Sequence, residues 1–511
     1  MYSPQTLPRL LFPYINDRKD TYGRDITIGL HDPSLPKLGS KKLVIDFSSP
    51  NIDSEFKGKH LRSTILGACI VTLYQKMGWN VTKINYIGDW GKQVGLLGVG
   101  WEKFGSEELY QADPRGHLLD VYHKIDDLFA PEQAARKEHR GKGKEVEPQG
   151  LFAERNAYFK RMEEGDEKAL ELWKRVRDVN VENYKKLYSR LNVAFDEYSG
   201  ESQVSPKTMA EVEEILKNKG LCDEIDGSWA VDMSKHTGKH GAGLAFIRDR
   251  TGSSTYLLRE LAAALDRARK YTFDKMIYVA ADDNNRHFKR VIEILQLMDM
   301  PDLAHKLEHV SFNEASKMSE KIGRGHMVDE ILDQCQRAMH KSLSDNPEKA
   351  ALLGDNEDTA VNVGITALLI QELSAKRSHD HAFDIDKMVS FESGTGPDLQ
   401  YWYARLCSLL RTRPAATNFS DEDFTSFGED ERFDLVRLLN QYPDITLAAY
   451  KSLEPVAILS YLFNVTGLLP YCIGEDQDVN GPTGAQAMLY EATRRVLENG
   501  MQLLRITPVA K

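Results

Sequence analysis

The sequence predicts a parallel α/β domain of Rossmann type, interrupted by a helical insertion and followed by an all-helical domain. Three observations carry that prediction. From residue 41 onward, strand-like apolar runs alternate with runs of helical period, as a parallel sheet with crossover helices requires. Between residue 101 and about residue 190 the pattern changes to charged helices. After about residue 325 the strand-like runs stop, and apolar residues recur only at helical spacing.

Residues 1–40 are too short for a full domain and read as a lead-in, with one amphipathic helix over 7–14. The α/β domain is expected over 41–325, with strands at 43–47, 81–86 and 276–280 and helices at 61–77, 257–270 and 287–297. Within the insertion, residues 137–150 are rich in Lys, Glu and Gly and read as a solvated loop. The helical domain spans 326–511, with periodic runs at 327–343, 359–375, 399–410, 433–441, 445–466 and 485–504. No internal repeat is visible.

The chain has 511 residues, 41% hydrophobic and 28% charged, which suits two or three globular domains. No apolar run is long enough to span a bilayer, and residues 1–16 lack the layout of a secretory signal. The five cysteines are far apart, so reduced thiols are expected, with neither a disulfide framework nor a metal site. A cytoplasmic protein with no membrane partner fits these features. The net charge of −11 argues against broad electrostatic adhesion to nucleic acid. It leaves room for a local basic stripe that binds phosphates.

The most telling motif is Asp46-Phe47-Ser48-Ser49-Pro50-Asn51, followed by Lys57-Gly58-Lys59-His60-Leu61-Arg62-Ser63-Thr64. An apolar strand running through a turn into a helix at this spacing resembles the nucleotide-site signature of the class I aminoacyl-tRNA synthetases. Further stretches resemble the arginyl-tRNA synthetases in particular. Asn85-Tyr86-Ile87-Gly88-Asp89-Trp90-Gly91-Lys92-Gln93 is similar to that family's second active-site strand and turn. Tyr256-Leu257-Leu258-Arg259-Glu260 is similar to its arginine-pocket helix, and Gly394-Thr395-Gly396-Pro397-Asp398-Leu399-Gln400-Tyr401 to the start of its anticodon-binding bundle. Leu489-Tyr490-Glu491-Ala492-Thr493-Arg494-Arg495 resembles its terminal helix. Residues 1–30 resemble the last piece of the family's N-terminal domain. Several motifs in one order make the resemblance specific. It implies a class I synthetase-like catalytic domain and an anticodon-binding-like bundle.

The departures cluster around ATP. The family's His-x-Gly-His tetrad reads Lys57-Gly58-Lys59-His60 here, so one imidazole is lost and a long cation replaces the glycine on which adenine lies. A second phosphate motif, Met-Ser-x-Arg-Lys-Gly in the family, aligns with Met318-Ser319-Glu320-Lys321-Ile322-Gly323, where Ile322 replaces a phosphate-clamping lysine. Three residues after His287 the family has Gln, and Arg290 stands there. The arginine pocket is treated differently. Asn51, which resembles the ligand of the arginine α-amino end, and Tyr256 are kept, and Glu260 preserves the carboxylate of the family's Asp. A guanidinium needs such an acceptor for its forked donors. Asp89 is expected to complete the arginine site by shaping the pocket floor.

This split resembles the fungal arginine-containing cyclodipeptide synthases, which condense arginyl-tRNA with a second aminoacyl-tRNA into cyclo-Arg-Xaa. The resemblance implies a tRNA-dependent aminoacyltransferase with no cofactor, and with those two charged tRNAs as partners. His60 and His287 are then candidate bases for the attacking amine. Lys57 and Lys59 are candidates for binding phosphates of the tRNA acceptor end. An arginine–tRNA ligase with an eroded signature and a non-catalytic tRNA-binding pseudo-synthetase are the competing readings. Blander roles are a helix-start remnant for His60, a packing role for His287, and a surface ion pair with Arg259 or Arg267 for Glu260. Ser48, Ser49 and Ser254 stand near the motifs, but a nucleophilic hydroxyl needs an activating base.

Overall fold

The computed structural model describes residues 6–140, 149–238, 243–313, 328–354, 357–379, 383–412, 431–473 and 483–511. Its strands, in chain order, are β1 (Lys42–Asp46), β2 (Asn80–Ile87), β3 (Glu197–Gly200), β4 (Cys222–Ile225), β5 (Ser228–Asp232), β6 (Leu244–Arg248), β7 (Lys275–Ala281) and β8 (Leu307–Phe312). Five of them form one sheet in the order β3-β2-β1-β7-β8, and every pairing in it is parallel. The motif-bearing strand β1 therefore lies at the centre. In its register Val44 faces Thr82 on one side and Met276 on the other.

The second sheet, antiparallel β4-β5-β6, is not legible from apolar alternation. Its strands carry Asp223, Glu224 and Arg248 beside their apolar positions, which blurs the period of two. The turn joining β4 to β5 is Asp226-Gly227, both with positive φ (49° and 76°), the pair that a tight two-residue hairpin favours. Strand β3 is also unexpected; at four residues, with one buried position, it gives little signal.

Helices Lys92–Phe104, Glu107–Ala112, Pro114–Arg140, Gly150–Glu163 and Glu167–Arg190 build the insertion. The loop expected at 137–150 is narrower than that, since helix occupies its first residues and resumes at Gly150; residues 141–148 lie outside the described residues. From residue 328 onward the described elements are all helical, from Val328–Asp345 to Gly484–Leu503. No helix among the described residues is long and apolar enough to cross a membrane.

Helix Gly58–Lys76 is buried on nearly every side. One face packs on the sheet through Leu61, Ile65 and Phe47, and the same continuous core includes Leu368, Leu439 and Met488 of the helical domain. A helix enclosed in this way needs apolar residues all round. Among its buried polar residues, which include His60, Ser63, Thr64 and Thr72, Arg62 is the largest. Its side chain is fully buried, its Nη1 donates to the Glu372 carbonyl oxygen at 3.2 Å, and it lies 3.6 Å from Glu372 Oε2. The pair ties this helix to Glu357–Leu373. Removing one partner of a buried ion pair leaves a charge without water or counter-charge. Arg62→Met is expected to lower unfolding free energy by about 3–5 kcal/mol in urea titration, and the double variant Arg62→Met with Glu372→Gln to recover part of it. A single-variant loss below about 1 kcal/mol would contradict this account.

Candidate functional site

Strand β1 ends at Asp46, and the chain then turns through Ser48 and Ser49, both left-handed (φ 70° and 45°). Two consecutive non-glycine residues there are costly and need outside support. Ser48 supplies it. Its N–H donates to Ser63 Oγ at 2.8 Å, and its hydroxyl bonds both Tyr188 and Thr64 at 2.7 Å. Beyond the turn, Asn51 bridges to Gly88 at the end of β2. A Cβ on Gly88 would fall 2.1 Å from Asn51 Oδ1, so the glycine leaves room for that amide.

These elements open a cavity of about 410 Å³ at the C-terminal ends of β1, β2 and β7, where open parallel sheets bind ligands. Asn51, Lys59, His60, Tyr256 and Glu260 line it, together with Asp46, Asp53, Trp90, Lys92, Arg155, Glu201 and Arg259. One buried wall gathers carboxylates against guanidinium groups. Arg267 lies 3.3 Å from Asp46 and 3.3 Å from Glu260, and it sits over the Tyr86 ring at 4.2 Å. Arg259 Nε donates to Glu201 Oε2 at 2.6 Å. Three carboxylates thus meet two guanidinium groups. Burial pushes the Glu260 carboxyl up to about 7; Arg267 opposes the rise, while Asp46 and Glu201 add to it. Burial likewise raises Asp46 and Glu201 against the pull of their arginines.

The expected surface ion pair of Glu260 does form, with Arg267, but it is buried. The sequence signal was present: seven residues are two helical turns, which puts both side chains on one face. Asp46, Glu201 and Arg155 carry no such signal, because each reaches the cavity from a different element.

Several expected roles need correction. Asp89 is fully buried but is not an arginine ligand: its carboxylate accepts from Arg177 Nε, Ser202 N and Ser202 Oγ at 2.7–2.9 Å. It braces the end of β3, and a Cβ on Gly200 would meet it at 2.3 Å. His60 lines the cavity, but its Nδ1 accepts the Lys57 backbone N–H at 3.0 Å. The proton of the neutral ring therefore sits on Nε2, making His60 a donor to the cavity and no base. Burial, with the nearby charges of Lys59 and Lys57, pushes its pKa down to about 3. His287 lies outside the cavity lining, stacked on Tyr256 with ring centroids 4.2 Å apart. Burial pushes it down to about 4, so the ring is neutral at ordinary pH and packs on the tyrosine.

Of the two lysines, Lys57 is exposed and outside the lining, while Lys59 Nζ pairs with Asp283 at 3.0 Å. That contact runs from the start of helix Gly58–Lys76 to the turn after β7. The candidate hydroxyls are all engaged: Ser49 donates to Asp46 and Ser254 to Glu163, each at 2.7 Å. Tyr403 is buried, with Tyr401 and Trp402 partly so. The motif at residues 318–323 lies outside the described residues. Among the described residues no group of His, Cys, Asp and Glu is placed to hold a metal ion.

Residues 30–385 match the family described as tRNA synthetases class I (R), catalytic domain, and residues 399–511 match the DALR anticodon binding domain. The chain is 40% identical over 519 residues to the cytoplasmic arginine–tRNA ligase of Saccharomyces cerevisiae, covering 100% of this chain and 81% of that protein. It is 38% identical to the mitochondrial arginine–tRNA ligase of the same yeast, covering 92% and 72%. To the probable mitochondrial arginine–tRNA ligase of Homo sapiens it is 34% identical, covering 94% and 80%. Among solved structures, arginyl-tRNA synthetase from Plasmodium falciparum superimposes with a TM-score of 0.72 at 20% identity, covering 92% of this chain and 77% of that one. The Thermus thermophilus enzyme gives 0.71 at 19%, covering 92% and 82%. With a family match across most of its length and this identity to full-length relatives, the chain belongs to the class I arginyl-tRNA synthetase family.

Proposed function

We propose that this protein is a tRNA-dependent arginine-containing cyclodipeptide synthase, which joins arginyl-tRNA to a second aminoacyl-tRNA and releases cyclo-Arg-Xaa. One contrast within the cavity carries the reading. The cluster of Asp46, Glu201 and Glu260 sets three carboxylates against the two guanidinium groups of Arg259 and Arg267, so a bound arginyl side chain would complete the pairing there, while Arg155, Lys59 and Lys92 line the rest of the cavity. On the nucleotide side a single imidazole remains, and the lysine in the glycine position is tied to Asp283. Adenylation develops charge on the α-phosphate and needs preorganised cations, so a site altered there favours arginine that arrives already activated. In this reading Asn51, Tyr256 and Glu260 seat the arginyl group, and His60 Nε2–H donates to an oxygen of the tRNA ribose or of the ester carbonyl. Lys57 and Lys59 contact phosphates of the acceptor end.

A second reading is arginine–tRNA ligase activity, favoured by the 40% identity to the yeast cytoplasmic arginine–tRNA ligase over the whole chain. The two readings separate cleanly in one set of assays. The synthase yields cyclo-Arg-Xaa, seen by mass spectrometry, from arginyl-tRNA mixed with total tRNA charged with the other standard amino acids, and gives no arginine-dependent ATP–pyrophosphate exchange. Exchange without dipeptide would establish the ligase instead. Binding of tRNA with neither activity would leave a pseudo-synthetase.

Glu260 sets a pH dependence. A guanidinium binds the ionised carboxylate, whose pKa in the empty site is about 7. Affinity for L-arginine is therefore full above that value and falls by up to about tenfold per pH unit below it. Calorimetric titration across this range should also show proton release near neutrality. A pH-independent affinity would remove Glu260 from the arginine site. Glu260→Gln should lose arginine affinity by about tenfold or more and flatten the remaining pH dependence.

A further inference from the structure

We propose that Asp53 is the proton acceptor for the amine that attacks the arginyl ester, an inference that rests on the tRNA-dependent reading above. Four carboxylates line the cavity: Asp46, Asp53, Glu201 and Glu260. Three are held by arginines. Asp46 and Glu260 share Arg267 at 3.3 Å each, and Glu201 takes Arg259 at 2.6 Å. A carboxylate whose lone pairs are turned to a guanidinium has less acceptor capacity left for an incoming ammonium. Asp53 is the fourth.

Its position fits the task. Asp53 is two residues beyond Asn51, on the same loop and against the same cavity, and it is only 6% exposed. The charged and titratable groups that face it come from several elements. Glu55 and Lys57 belong to its own loop, Asp126 to helix Pro114–Arg140, Tyr184 to helix Glu167–Arg190, and Glu201 lies just after β3. Lys57 is the attractive charge among them, and Glu55, Asp126 and Glu201 repel. Glu55 is itself hydrogen-bonded to His123. Burial pushes Asp53 up to about 6, against the pull of a backbone hydrogen bond and of Lys57, with Glu55 and Asp126 adding to the rise. An acid in that range is mostly ionised at neutral pH. It sits within about two units of an α-ammonium, whose ordinary pKa is roughly 7.7–8.0, so proton transfer costs little. The two imidazoles do not compete, since His60 presents a donor and His287 lies outside the cavity lining.

The step balances without a further reagent. The α-ammonium of the second aminoacyl-tRNA gives one proton to the Asp53 carboxylate, which passes it to water. The freed lone pair forms a carbon–nitrogen bond at the arginyl carbonyl carbon. As the ester carbon–oxygen bond breaks, a second proton leaves the nitrogen and ends on the ribose hydroxyl. One amide proton remains.

The test uses the full chain with arginyl-tRNA and total tRNA charged with the other standard amino acids, reading cyclo-Arg-Xaa by mass spectrometry. The unaltered protein should show an acid limb in its rate near pH 6, beside the limb of the substrate ammonium. Asp53→Asn should lower kcat by about 10²–10⁴-fold, leave KM for arginyl-tRNA within about twofold, and abolish the limb near 6. Asp53→Glu should restore part of the rate and bring back a limb, which a variant damaged only in folding would not do. An Asp53→Asn protein with unaltered kcat, with the limb retained, or with only KM raised overturns the proton-acceptor role. Absence of any dipeptide from the unaltered protein overturns the synthase reading and this proposal with it.

Discussion

Arg267 is the side chain on which the arrangement of the cavity depends. It comes from helix Tyr256–Tyr271 and sits between Asp46 at the end of β1 and Glu260 two turns earlier on its own helix. That contact joins the central strand to the helix that carries Tyr256. It also holds two buried carboxylates in one orientation. Without Arg267 both acids would take up protons, since burial already raises them. With it, they stay close enough to ionisation for one more cation to shift the balance. The same low-dielectric surroundings that make the triad costly raise the worth of any cation that completes it, and under the proposed function a planar guanidinium fork would do so better than a compact ammonium.

The parallel sheet was readable because its central strands are buried on both faces and so appear as unbroken apolar runs: Leu43 to Ile45, and Met276 to Val279. The helical domain was readable from its period. The antiparallel β4-β5-β6 sheet was not, although its Asp226-Gly227 turn is a recognised hairpin signal. Its strands mix charges with apolar residues, and pattern reading favours the stronger period. For the site, Asn51, Lys59, His60, Tyr256 and Glu260, singled out by motif position, all line one cavity. Position is set by backbone topology, which the motifs carry.

Orientation is a different matter, and there the sequence was silent. Asp89 stands one residue after Gly88, which lines the cavity, yet its carboxylate points to Arg177 and Ser202. Adjacent residues at a strand end face opposite sides, so a neighbour of a lining residue is as easily a brace as a ligand. His60 shows a subtler limit. Its place is as expected, but a single hydrogen bond from the Lys57 backbone fixes the tautomer, and with it the chemistry available. A motif cannot record which ring nitrogen carries the proton.

The same bond links the altered signature to the geometry of the site. Helix Gly58–Lys76 begins with backbone N–H groups that have no partner inside the helix, and the His60 ring satisfies the one at Lys57. The imidazole is therefore useful to the fold whether or not a nucleotide is ever bound. A histidine in the first position of the tetrad would have no such structural duty visible here, because the residue standing there, Lys57, is exposed and contributes its backbone. Loss of nucleotide chemistry would then remove the reason to keep the first imidazole and the glycine while leaving the last imidazole under constraint. On this view the survival of His60 says little about ATP, and the reading of the site turns on the carboxylate cluster and on Lys59.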